Sequence, residues 1–141
     1  MALLELEFLT QYGVRANTVV IVAGCAPATR MPFLASLFPH IQFVLVDPTP
    51  LDFDESTTPN ISVKQQTMDD TLATEFQASA AAEGKTLLFI ANATADTPNG
   101  FLAASDHEDY SDEVNLREHL ACESWIACIL ADYAVCFLLL R

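Results

Sequence analysis

Basic residues are scarce in this chain. Positive charge is confined to Arg15, Arg30, Lys64, Lys85, Arg117 and Arg141, against 19 acids, for a formal net charge of −13. The six are scattered and form no patch in the sequence. Affinity for nucleic acid comes mostly from Lys and Arg on phosphates, so this balance opposes nonspecific binding of RNA or DNA. It opposes docking to an anionic membrane surface for the same reason. Long apolar runs are missing too, and no stretch approaches the ~20 residues that cross a bilayer. The opening MALLELEFLTQYG has no basic n-region and carries acids inside its apolar run, so it does not read as a signal peptide. The four cysteines, Cys25, Cys122, Cys128 and Cys136, include no CxxC pair. Zinc-ligand spacing is therefore lacking, and buried thiols in a reducing compartment are the expectation. Repeats and low-complexity tracts are also missing. Together these absences imply a soluble protein, cytoplasmic or nuclear, with no membrane partner.

What remains is enough for a core. The chain has 141 residues, 52% of them hydrophobic, which suits a single domain over residues 1–141. Ala2 to Tyr12 reads as an amphipathic helix with Leu3, Leu6, Phe8 and Leu9 on its apolar side and Gly13 as its stop. TVVIVA, Thr18 to Ala23, is a β-branched run of the kind buried on both faces of a parallel sheet. A helix is expected from Thr29 to Phe38, with Thr29 as N-cap and Pro32 in the first turn. Strands follow at Ile41 to Asp47 and Ile61 to Gln65, separated by a Pro- and Asp-rich loop. A second crossover helix begins at Asp69 or Asp70 and ends near Ala82, with Gly84 as its cap. The fourth strand is Thr86 to Ala91. A polar loop from Asn92 to Tyr110, a helix from Ser111 to about Leu130 and a fifth strand, Ala134 to Leu140, complete the pattern. Alternating strands and helices predict an α/β fold with a mostly parallel sheet of five strands.

Chemistry is concentrated in one stretch, VAGCAPATRMPFLASLFPHIQFVLVD, from Val22 to Asp47. In open α/β sheets ligands bind beyond the carboxyl ends of the strands. Gly24 lets the backbone approach a ligand there, and Asp47, ending the second strand, is placed to accept hydrogen bonds from a ribose diol. The acidic run around His107 lacks the glycine and alternating ligands of a calcium loop and reads as solvated. No Ser-His-Asp or Cys-His arrangement has support beyond composition.

The stretch VVIVAGCAPATRMPFLASLFPHIQFVLVDP resembles the corresponding part of the poxvirus-type cap-specific mRNA 2′-O-methyltransferase family. That family also serves as the poly(A) polymerase regulatory subunit and recurs in other large DNA viruses. Its motif is a strand, then Gly-x-Ala-Pro-Gly-Thr, a helix, and a strand ending in Asp. LLELEFLTQYG is similar to the family's preceding helix. TLLFIANAT falls where the family has a strand leading into Ser-Asp-Ile-Arg, and ESWIACILADYAVCFLLLR where it has a helix and then a strand ending in Leu-Lys-Phe-Arg. The resemblance implies a Rossmann-like methyltransferase fold that binds S-adenosylmethionine (SAM) at Val22, Gly24, Cys25, Ala26, Pro27, Ala28, Asp47 and Asn92. Gly24, Ala26 and Pro27 would lie under the methionine part, and Asp47 would take the ribose. Capped mRNA is the partner the family implies, and the acidity of this chain disfavours it.

The family's catalytic set is Lys-Asp-Lys-Glu, in which a lysine of lowered pKa acts as base. Here Asn92 stands at the Asp position and Leu139 at the second Lys position. The first Lys would fall ahead of LLELEFL and the Glu beyond Arg141. Ala28 replaces the motif's second glycine, Val22 a tyrosine, Thr49 an arginine and Thr94 a basic residue. The family's sheet has further strands after the fifth, so the chain reads as truncated on its C-terminal side. Two readings follow from the resemblance. One is a degenerate SAM-dependent RNA methyltransferase domain. The other is a non-catalytic partner, for example of a poly(A) polymerase. Ala134 to Leu140 would then be an apolar edge that a protein partner or a second copy covers.

Overall fold

The computed structural model describes residues 2–25, 28–52, 54–93 and 133–138, and for residues 2–4, 92, 93 and 133–138 it describes the backbone alone. The elements are α1 (Ala2–Tyr12), β1 (Thr18–Ala23), α2 (Met31–Leu37), β2 (Ile41–Val46), β3 (Ile61–Lys64), α3 (Asp70–Glu83), β4 (Thr86–Ala93) and β5 (Tyr133–Leu138). A 3₁₀ turn, Glu55–Thr57, interrupts the loop between β2 and β3.

All described strand pairs are parallel, in the order β3-β2-β1-β4, with β5 alongside β4 at the far end. Period-two alternation sorts the strand residues onto two faces. Val20, Val22, Ile41, Phe43, Leu45, Leu88 and Ile90 pack against Phe8 and Leu9 of α1 and Met31, Leu34 and Ala35 of α2. Ile21, Ala23, Val46, Leu87, Phe89 and Ala91 pack against Leu72, Ala73 and Ala80 of α3. Each fully buried aliphatic side chain of this kind contributes ~1.5–3 kcal/mol. The crossovers β1-α2-β2 and β3-α3-β4 run in opposite directions across the sheet. Their helices lie on opposite faces, as crossovers of one hand must. The architecture is mixed α/β with a parallel sheet, consistent with a Rossmann-like fold.

Several boundaries shift from the sequence expectation. The first crossover helix starts at Met31, not Thr29, and its N-cap position is Arg30, with no side-chain capping bond. The reason is a tight turn just before it: Ala28 is left-handed at φ 62°, and Met31 N donates to Ala28 O at 3.0 Å. Pro32 still falls in the first turn. The second strand ends at Val46 and the third at Lys64. The fourth strand runs on to Ala93, because Asn92 and Ala93 pair with Phe137 and Leu138. Asn92 and Ala93, expected to open a loop, are therefore strand. The fifth strand is shifted toward Tyr133. The expected polar loop beyond Ala93, the helix to Leu130 and residue Leu139 lie outside the described residues. Asp69 caps α3 by accepting from Leu72 N at 2.8 Å, and Gly84 closes it in the left-handed conformation at φ 65°. Gly13 ends α1 for a different reason. A Cβ there would stand 2.7 Å from Leu9 O and 2.8 Å from Ile41 Cδ1, so the helix end packs on β2 at glycine distance.

Candidate functional site

The register of the sheet assembles the corner. Ala23 pairs with Val46 on one side and with Ala91 on the other. Gly24, Asp47 and Asn92 each follow by one residue. The three positions singled out in sequence thus stand side by side at the carboxyl edge of β2, β1 and β4. Strand order reverses between β1 and β4, and that switch point is where open α/β sheets hold ligands.

Gly24 adopts φ 70°, a conformation open to glycine at no steric cost, and its N–H donates to Val46 O at 3.1 Å. Asp47 is only 3% exposed although it stands just past the strand. Its N–H donates to Lys64 O at 3.3 Å, and its Oδ1 accepts from Thr49 N at 2.8 Å. The carboxylate is therefore oriented by its own loop, in an Asx turn. Thr49 supplies the backbone donor to that turn.

Cys25 is buried, and burial, followed by the nearby Asp47 charge, pushes its thiol up to about 12. The shift favours the protonated thiol at neutral pH. Its contribution to the corner is packing. Val22 is likewise packed into the core beneath α1 and α2. Ala28 is fully buried and left-handed. An L-residue in that conformation costs ~1–2 kcal/mol, which a glycine would not. Ala26 and Pro27 lie outside the described residues, and of Asn92 the structure gives the backbone place alone, within β4 and opposite Phe137.

An ion pair beside the corner escaped the sequence reading. Arg30 Nε and Nη2 donate to Glu5 Oε2 and Oε1, each at 2.7 Å, in a bidentate fork. Glu5 is 1% exposed, and the Arg30 side chain 29%. The bonds to Glu5 hold the guanidinium pKa above its already high value. Glu5 falls on the helical stripe Glu5, Phe8, Leu9, Tyr12, at spacing i, i+3, i+4, i+7. An acid on a core stripe was the available signal. Its partner, 25 residues away, left no local trace.

The corner brings together a buried acceptor carboxylate at the strand end, a left-handed glycine and small neighbours. Among the described residues the corner's cation is Arg30, already engaged by Glu5, and no cluster of His, Cys, Asp or Glu could hold a metal. A cavity of about 400 Å³ opens elsewhere, beside α3. Its floor includes Val19, Gln42 and Leu87, the second residues of β1, β2 and β4, so it faces the amino half of the sheet. Among the described residues no helix is long and apolar enough to cross a membrane. No protein-family model matches the chain, and no curated protein matches it.

Proposed function

We propose that the chain is a Rossmann-like domain of the SAM-methyltransferase type. It keeps a nucleoside-binding corner and has lost the transfer chemistry of the cap 2′-O-methyltransferases it resembles. The observation that carries this reading is the burial of Asp47 at the register level of Gly24, beside the switch point. A carboxylate so placed accepts hydrogen bonds from the 2′- and 3′-hydroxyls of a ribose. Gly24 lets the backbone approach the ligand without a Cβ between them. By resemblance, Gly24, Ala26 and Pro27 would lie beneath the methionine part of SAM, and Asn92 would stand at the position of the family's catalytic Asp. SAM, when bound, supplies an activated methyl group.

Activation of a ribose hydroxyl is the missing half. It needs a base, and the family uses a lysine held by acids. Asn92 has the shape of the Asp and no charge to orient an ammonium. Leu139 has no ionisable group, and an arginine never deprotonates in this range. The chain then acts by binding, as a regulatory partner in RNA processing of the kind the family also forms with a poly(A) polymerase. A cytoplasmic setting fits that role.

Titration calorimetry of SAM into the purified chain tests the corner. The wild type binds. Asp47→Asn keeps the shape of the side chain and weakens binding about tenfold or more, and Asp47→Ala abolishes it, with circular dichroism showing a retained fold in both. A folded wild type that gives no heat with SAM overturns the reading. Binding that survives Asp47→Ala places any cofactor site elsewhere.

A further inference from the structure

The turn from β1 into α2 is strained at Ala28. Among its described residues, Gly24 at φ 70° and Ala28 at φ 62° are left-handed. A left-handed alanine persists where the surrounding structure over-determines it. Among the described residues, Gly24 N donates to Val46 O at 3.1 Å at the start of the turn and Met31 N to Ala28 O at 3.0 Å at its end. The helix that follows has no side-chain cap.

The side-chain tether comes from α1. Arg30, two residues after Ala28, sends both Nε and Nη2 to Glu5 at 2.7 Å. A bidentate fork fixes the plane of the guanidinium as well as its distance. Glu5 cannot swing to follow a moving turn. It sits at 1% exposure on the same stripe as Phe8 and Leu9, which are packed into the core.

We infer that the Glu5–Arg30 pair is a positioning device, holding the β1–α2 turn in the shape that receives a nucleoside and so making α1 part of that site without touching the ligand. The nucleoside side of this inference rests on the proposed function; the turn-holding side does not. A purely stabilising role is a poor account of the pair. Buried ion pairs seldom add stability over apolar residues of similar size, whereas an apolar pair cannot fix an orientation.

The test is the double variant Glu5→Leu/Arg30→Met in the full chain, read three ways. Thermal melting reports the fold. Hydrogen exchange at the Met31 amide reports the turn, with the β1 amides Val20 and Ile21 as internal controls. Calorimetry reports SAM affinity. The expected result is a melting point close to wild type, unchanged β1 protection, and exchange at Met31 at least about tenfold faster. A turn competent about one-tenth of the time also weakens SAM binding about tenfold. Unchanged exchange at Met31 overturns the inference, as does acceleration spread equally through β1, which marks a purely structural role. If the double variant does not fold, Arg30→Lys decides. It keeps the charge and loses the fork, so Met31 exchange rises if the inference holds and stays at the wild-type rate if it does not. A wild type that binds no SAM removes the proposed function, and the Met31 exchange alone then decides the positioning role.

Discussion

Cys25 shows how one side chain at the corner is set by its surroundings. Its thiol moves from an ordinary 9.0 to about 12, with burial the largest cause and Asp47 next. The sign for stability follows directly. Between pH 9 and 12 the unfolded chain has released the thiol proton and the folded chain still holds it. The unfolded state then binds fewer protons, so stability falls as pH rises, by up to about 1.4 kcal/mol per pH unit. Denaturant midpoints of wild type and Cys25→Ala across that range check this, and the variant lacks the added slope. Ala28 makes a different point at the same scale. Its identity and the motif around it were legible in the sequence. Its left-handed backbone was not, because φ depends on where the next helix can begin. Thr29 looked like the cap of that helix on residue type alone, and the turn moved the start past it.

At the scale of elements, Asn60 ties three pieces together. Its Nδ2 donates toward Ala35 O at 3.1 Å, Phe38 O at 3.3 Å and Ile41 O at 3.0 Å. The first two are carbonyls at the carboxyl end of α2, the third begins β2, and Asn60 itself precedes β3. Removing the amide leaves these part-buried carbonyls short of a donor. Asn60→Ala therefore costs about 1–3 kcal/mol in urea unfolding. Asn60→Asp fares no better, since a carboxylate cannot donate. In the sequence Asn60 is only the last residue of a polar loop. Strand and helix identities were readable from β-branched runs, from Asp69 and Gly84 at the ends of α3, and from Gly13 after α1. The end of β4 was not, because its last two residues are strand by virtue of pairing with β5.

For the whole molecule, charge is the deciding quantity. Of the described cations, Arg30 is paired with Glu5, Lys85 with Glu83, and Lys64 stands over the Phe76 ring at 5.7 Å. A chain of net charge −13 with three of its six cations so engaged has little to offer a phosphate backbone. Capped RNA should give no gel retardation at about 0.15 M salt, and the variant Asn92→Asp/Leu139→Lys should show no methyl transfer to it. Transfer by that variant would show that an RNA surface persists and that the loss of catalysis is confined to two side chains. β5 stands at the outer end of the sheet order, the place where a strand-edge partner was expected.

The sequence by itself determined the alternation of strands and helices, the two-faced burial of β1, and the choice of Gly24, Asp47 and Asn92. All but Asn92 rest on periodicity and residue type, which are local; Asn92 was picked out by the family resemblance. Only the tertiary structure decided that these three stand level with one another, since that is a matter of strand register. It also decided that Asp47 is oriented by Thr49 and that Glu5 is buried with Arg30 against the turn. An ion pair across 25 residues has no period and no motif. It exists because α1 and α2 pack on the same face of the sheet, and that packing is a property of the folded chain.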